Sequence, residues 1–139
     1  MSALGRIAAA LGIGLLAAGL VIQLGFGGER IRTIEIAIHY SHFEPATLTV
    51  PAGEPIRFVI VNGDPIDHEW IVGDTALHLR HRTGTEPSHG ARPTEQTILA
   101  GQRVETVVTF DGPGVLTYIC HLPAHEAYGM VGTLNVIGG

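Results

Sequence analysis

The sequence contains one cysteine and no lysine, and only 15% of its 139 residues are charged. A single cysteine excludes an intrachain disulfide framework, a CxxC redox pair and an iron–sulfur cluster held by the cysteines of one chain. All eight basic residues are arginine and the formal net charge is −5, which argues against nucleic-acid binding, since that would need a basic face. Its length suits one small domain.

The apolar residues are concentrated near the N-terminus. Residues 7–28 contain no charged side chain, and this run is long enough to cross a bilayer as a helix. We expect either an uncleaved membrane anchor or a cleaved secretory signal with its exit near Ala17-Ala18-Gly19; a buried core helix is a third alternative. The first two place the rest of the chain outside the cytoplasm, in the periplasm or at the cell surface. Residues 1–28 are therefore assigned to an anchor or signal segment, and residues 29–139 to one domain.

The domain has the pattern of short β-strands separated by turns. Alternating or β-branched runs predict strands over residues 33–39, 46–50, 55–62, 68–72, 103–110, 114–120 and 131–137. Seven or eight such strands, with no convincing helical period, predict an all-β antiparallel sandwich or Greek-key barrel. Residues 73–100 interrupt the pattern and are predicted to form one long, polar, histidine-containing loop.

The candidate chemistry lies between the last two predicted strands. Cys120, His125 and Met130 follow the spacing Cys-x4-His-x4-Met, and His68 begins a strand far upstream. Copper that cycles between Cu(I) and Cu(II) is well served by one thiolate and two imidazoles in a plane, with a long, weak methionine bond. The sequence therefore predicts one copper ion held by His68, Cys120, His125 and Met130.

The segment Cys120-His-Leu-Pro-Ala-His125, with Gly129-Met130-Val-Gly132 after it, resembles the ligand loop of the cupredoxins, the small blue-copper proteins. Its spacing is closer to rusticyanin and to exported cupredoxins linked to copper tolerance than to plastocyanin. The resemblance covers residues 34–136 and implies an eight-stranded Greek-key β-sandwich with copper at one end. It departs from many electron carriers at Glu69, where they have a Ser or Asn whose backbone amide or side chain steadies the thiolate. This departure concerns the redox tuning rather than the metal.

The ligands also have alternative interpretations. Cys120 would otherwise be a buried free thiol or the nucleophile of a Cys–His hydrolase, although no nucleophile motif precedes it. His125 would otherwise be a loop histidine in solvent, and Met130 would fill a gap in the core.

The remaining histidines give further alternatives. Rivals of His68 as the upstream ligand are His39, His42 and His78, and Glu69 is an alternative ligand. We expect His121 at the rim of the site, pointing away from the thiolate, and Trp70 in the core beneath it. His78, His81 and His89 have two interpretations: they form a second copper or partner site, or they belong to a solvated loop.

The expected function is one-electron transfer between redox partners by a type 1 copper protein outside the cytoplasm, without enzymatic activity. Partners would dock near His125, where Leu122, Pro123, Ala124 and Ala127 would form an apolar rim, and the acidic domain favours partners with a basic patch. A monomer is expected, tethered to the membrane through the N-terminal helix. The alternative is a copper-tolerance protein that sequesters or delivers copper. A two-copper oxidase centre is disfavoured because it needs two bridging cysteines.

Overall fold

The computed structural model describes residues 31–86 and 92–139, and within these ranges the alternating runs form strands around a shared core. The elements in chain order are β1 (Arg32–His39), β2 (His42–Glu44), β3 (Thr47–Pro51), β4 (Pro55–Asn62), β5 (His68–Gly73), α1 (Thr75–Thr83), β6 (Glu95–Ile98), β7 (Arg103–Thr109), β8 (Gly114–Ile119) and β9 (Val131–Ile137). The predicted all-β sandwich is confirmed, and each of the predicted strands is present to within one or two residues at its ends.

The strands form two sheets. The first has the order β2-β1-β4-β7, with β1 and β4 parallel, and the second has the order β3-β9-β8-β5-β6, with β3 and β9 parallel. The remaining neighbours are antiparallel, so the predicted antiparallel sandwich is wrong at the two parallel pairs. Parallel neighbours cannot be joined by a tight hairpin, so the chain passes between the sheets, which gives a two-layer sandwich.

The core fills the space between the sheets. In β4 the side chains of Ile56, Phe58 and Ile60 are fully buried, because every second residue of a strand faces the same side. Trp70 of β5 is also fully buried, and its ring centroid lies 4.9 Å from that of Phe58. The expectation that Trp70 belongs to the core is thus confirmed.

The second sheet brings the candidate ligands to one end of the sandwich. His68 is the first residue of β5, Cys120 follows the last residue of β8, and Met130 precedes the first residue of β9. β8 pairs with β5 through Ile119 and Ile71, and with β9 through Ile119 and Val131. The start of β5 and the loop from Cys120 to Met130 therefore lie at the same edge.

The segment 73–100 differs from its prediction as one long loop, because it contains α1 and β6. Asp74 caps the helix by accepting a 2.8 Å hydrogen bond from the Leu77 N–H, and Gly84 ends it in the left-handed conformation with φ 67°. The residues that α1 buries are His78 and His81. Since these are not apolar, the helix shows no hydrophobic period in the sequence.

Some sequence predictions lie outside the described residues: the anchor or signal segment 1–28, and His89. Within residues 31–86 and 92–139, no helix is both long and apolar enough to span a bilayer.

Candidate metal centre

Three predicted ligands meet at the edge of the second sheet. The Nδ1 atom of His125 lies 3.2 Å from Nδ1 of His68 and 3.2 Å from Sγ of Cys120. One donor atom from each of the three residues lies within 4.8 Å of the other two, and among the described residues no other group of histidine, cysteine and acidic side chains does this. The donor set is two imidazoles and one thiol, which fits the trigonal His2Cys arrangement of a type 1 copper site.

Met130 is positioned by the backbone of the ligand loop. Its N–H donates to the carbonyl of His125 over 3.1 Å, and its carbonyl accepts from the Cys120 N–H over 3.2 Å. These bonds fold the loop so that Met130 returns beside the other ligands, and its side chain is completely buried. The residues thus supply the His68, Cys120, His125 and Met130 set of a single type 1 copper site, as the sequence predicts.

The sulfur of Cys120 is surrounded by backbone donors. The Glu69 N–H lies 3.3 Å from Sγ, and the Leu122 N–H also bonds to it. Burial raises the pKa of the Cys120 thiol above its ordinary value, and these two hydrogen bonds only partly offset that effect. Glu69 therefore stabilises the sulfur of Cys120 through its backbone N–H, although its side chain is not the Ser or Asn of many electron carriers. Glu69 is not part of the ligand group.

His68 is held by a carboxylate that sequence reasoning missed. Its Nε2 atom lies 2.9 Å from Oδ2 of Asp64, so Nδ1 is directed towards His125 and Cys120. Partial burial acts to raise the pKa of Asp64, but hydrogen bonds from the Ser41 and Tyr40 N–H groups outweigh it, with a further contribution from His68, and the pKa is lowered. The only sequence signal was an acidic residue four positions before the ligand, within the turn Asn62-Gly-Asp-Pro65.

His125 is the ligand nearest to solvent. It is half-buried, whereas His68 and Cys120 are buried. Burial, followed by the neighbouring His68, lowers the pKa of the His125 ring, which keeps the ring neutral and able to bind a metal at neutral pH. Beside it, Pro123, Ala124 and Ala127 are exposed and Leu122 is half-buried, as expected for an apolar rim.

The rival upstream histidines are elsewhere. His39 and His42 are exposed and face each other across β1 and β2, and neither belongs to the ligand group. Of these upstream histidines, His68 is the one whose ring lies in the ligand group.

The histidines of segment 73–100 have a different environment from the predicted solvated loop. His78 and His81 are buried on α1, and they pack against His121 with ring centroids 5.1 Å apart in both pairs. Burial lowers the pKa of His78, and burial followed by the neighbouring His78 lowers that of His121 to about 4. His121 thus lies under the helix, with its side chain 7% exposed, rather than at an open rim.

Comparisons with known proteins agree with this geometry. A sequence model of copper-binding proteins of the plastocyanin/azurin family matches residues 33–137. The copper-resistant cuproprotein CopI of Rubrivivax gelatinosus is 35% identical over 116 residues, which cover 81% of this chain and 70% of that protein. The protein of the same name from Pseudomonas aeruginosa is 28% identical over 137 residues, covering 76% of each.

Solved structures show the same fold. Auracyanin B superposes with a TM-score of 0.65 at 24% identity, over 76% of this chain and 88% of that one. Auracyanin A, a blue copper protein of Chloroflexus aurantiacus, superposes with a TM-score of 0.60 at 25% identity, over 76% and 98%. The chain therefore belongs to the plastocyanin/azurin family of copper-binding proteins, the cupredoxins.

Proposed function

We propose that this protein transfers single electrons between redox partners outside the cytoplasm and performs no bond chemistry of its own. The observation that carries the proposal is the arrangement of His68, Cys120 and His125, whose donor atoms lie within 4.8 Å of one another at one end of the sandwich. Copper bound there would supply a one-electron change between Cu(I) and Cu(II).

The protein's contribution is to hold the ligands still. Asp64 fixes the ring of His68, and the N–H groups of Glu69 and Leu122 stabilise negative charge on the Cys120 sulfur. Buried residues, among them Trp70 and Met130, exclude water from the inner side of the site. Ligands fixed in this way need to move little when the oxidation state changes, which favours rapid electron exchange.

His125 provides the path to the surface. It is the only one of the four ligands that is not fully buried, and the loop residues Pro123, Ala124 and Ala127 around it are exposed. An apolar patch beside a half-buried ligand suits brief docking of a redox protein. With a net charge of −5, the chain favours a partner with a basic patch. We propose that it works as a monomer.

The location is proposed from the sequence. Residues 7–28 carry no charge, and we propose that they anchor the domain to a membrane or direct its export, with the domain in the periplasm or at the cell surface.

The test is to load the full-length protein with Cu(II) and record the visible spectrum. We expect an intense thiolate-to-copper charge-transfer band that disappears in Cys120→Ser and persists in the matched surface variant His42→Gln. A colourless wild-type protein, or colour that survives Cys120→Ser, would contradict the type 1 assignment. Electron exchange with a small redox reagent should be fast. Slow exchange in a coloured protein would contradict the electron-transfer function but not the type 1 copper site.

A second candidate function is copper tolerance. It is supported by the name of the relatives from Rubrivivax gelatinosus and Pseudomonas aeruginosa, copper-resistant cuproprotein CopI. The test is growth of a strain that lacks this gene at raised copper concentration, after complementation with the wild type or with Cys120→Ser. If only the wild type restores growth, tolerance depends on the type 1 centre. If both variants restore growth, copper binding elsewhere in the protein is sufficient.

A further inference from the structure

A second group of histidines lies between α1 and the ligand loop, and none of its members is a type 1 ligand. His78 and His81 are three residues apart on α1 and therefore project from the same side of the helix. His121 follows Cys120, and its ring lies against both of them. We infer that His78 and His121 form the nucleus of a second copper site, with His81 as a third imidazole donor.

The separation of the two nucleus rings suits a bound metal ion. Nδ1 of His78 lies 2.9 Å from Nε2 of His121. Imidazole nitrogens bind first-row metal ions such as zinc at about 2.0–2.1 Å. Two nitrogens 2.9 Å apart therefore match neighbouring positions around one ion, and neither ring has to move far to bind it.

The outer nitrogens of both rings have oxygen partners. Nε2 of His78 lies 3.2 Å from the Thr117 carbonyl, to which it donates, and this leaves Nδ1 as the ring's lone-pair nitrogen. Nδ1 of His121 lies 3.6 Å from Oε2 of Glu126. Without metal, one hydrogen is shared between the facing nitrogens. If it moves to Nδ1 of His121, beside Glu126, both facing nitrogens become available. The bond from His78 to the Thr117 carbonyl is of the kind that orients a metal-binding histidine, whereas Glu126 is near His121 at 3.6 Å without a hydrogen bond.

The third ring requires a small adjustment. Nδ1 of His81 donates to the Leu77 carbonyl over 3.1 Å, so Nε2 is the nitrogen with which His81 would bind. Among the described residues, only the type 1 group brings three such donor atoms within 4.8 Å of one another. His81 must therefore turn towards the His78–His121 pair, and its ring, stacked on His121 at 21°, is already beside it.

An ion can reach this group from solvent. A cleft of about 380 Å³ opens beside it, and its walls include His81, His121 and Glu126. Glu126 is bound by Arg82, with Nε 2.9 Å from Oε2. Because Arg82 neutralises much of that carboxylate's charge, the affinity of the site comes from the imidazoles. Imidazole sites bind Cu(II) more tightly than Ni(II) or Zn(II), which favours copper.

The test is the number of copper ions per full-length chain. Protein is exposed to excess Cu(II), freed of loosely bound metal in a buffer containing glycine as a weak chelator, and analysed for copper and protein. We expect two ions in the wild type and one in His78→Gln/His121→Gln, with the visible band of the type 1 centre retained. His78→Gln alone, which leaves the ligand loop unaltered, should also bind one.

Two controls isolate the site. The variant His39→Gln/His42→Gln removes an exposed pair of histidines that face each other across β1 and β2, and it should keep two ions. His89→Gln should also keep two. One ion in the wild type, two ions in the His78 variants, or loss of an ion in either control would overturn the proposal. Zinc retained at this site from an equimolar mixture with copper would overturn the assignment to copper.

This inference does not depend on electron transfer. The visible band reports the type 1 centre, whereas the copper count of the His78 variants reports the second site. A wild-type protein without the band but with a copper ion that His78→Gln removes would contradict the proposed function and support the second site.

Discussion

Nε2 of His68 and Oδ2 of Asp64 are 2.9 Å apart, and the carboxylate is itself held by the N–H groups of Tyr40 and Ser41 at 2.7 Å each. The turn that follows β1 and the turn that follows β4 are thus joined through one carboxylate to a metal ligand. The orientation of His68 therefore depends on both sheets rather than on β5 alone.

Replacing Asp64 by Asn should weaken copper binding. The amide keeps only one oxygen, so it cannot accept from Tyr40, Ser41 and His68 as the carboxylate does. Loss of a partner of this kind lowers metal affinity about 10–100-fold. Affinity is measured by competition with a chelator of known strength. The control is Asp67→Asn, on the same turn, whose carboxylate accepts from the Ala100 N–H at 2.8 Å. Equal affinities in the two variants would contradict a role for Asp64 at the metal.

Replacing Met130 by Leu should raise the reduction potential of the copper-loaded protein without removing the visible band. Leucine fills a similar buried volume, so the fold should be retained. The weak thioether bond stabilises Cu(II) more than Cu(I), and its loss favours the reduced state. Cyclic voltammetry measures the change. A potential that is unchanged or lower would show that Met130 is a packing residue and not a ligand.

Replacing Gly132 by Ala should destabilise the domain. A Cβ atom at this position would lie 2.0 Å from the ring of Tyr118, which is buried and bonded through its hydroxyl to the Pro45 carbonyl at 2.6 Å. Overpacking of this kind costs about 1–3 kcal/mol of the free energy of unfolding, or more. Gly114→Ala is the matched control, because an added Cβ there meets nothing within 4 Å. Urea unfolding of the two variants should show a clear loss of stability for Gly132→Ala alone.

Replacing Glu86 by Gln should make the free energy of unfolding less dependent on pH in the acid range. The Arg80 side chain, and then Arg92, lower the pKa of Glu86 despite the opposing effect of desolvation. The charged form therefore stabilises the folded state above the unfolded pKa, and this contribution is lost as the pH falls through the lowered folded pKa. Between about pH 5 and pH 3, the free energy of unfolding should fall more steeply in the wild type than in Glu86→Gln.

The control for this comparison is Glu54→Gln, at an exposed position. Its stability should follow the wild-type pH profile. If Glu86→Gln also follows that profile, the ion pairs that link Arg80 to Arg92 contribute nothing to acid stability.

Much of the fold and the metal centre could be predicted because the signals are local. The strands alternate with period two, and Cys120, His125 and Met130 are close together in sequence. His68 was predicted as the upstream ligand because it begins a strand, and its ring lies with Cys120 and His125 in the structure. Each of these features is visible within a few residues of sequence.

The parts that were missed depend on contacts between distant residues. α1 buries histidines, so its buried side has no apolar period, although Asp74 and Gly84 carried the signals of a helix start and end. The role of Asp64 was not predicted, because its bond to His68 depends on how β4 leads into β5. The Glu69 N–H donates to the sulfur of Cys120, a residue 51 positions later, and a contact over this separation is not visible in the local sequence.

The parallel pairing of β3 with β9 has a consequence for when the protein can take up metal. Thr47 pairs with Thr133, so the second sheet is completed only after the last strand has been synthesised and has moved beside a strand made much earlier. Contacts of such wide sequence separation form slowly. Met130 directly precedes that strand. Met130 is therefore positioned only after β9 has formed, so copper finds its complete set of ligands late in folding.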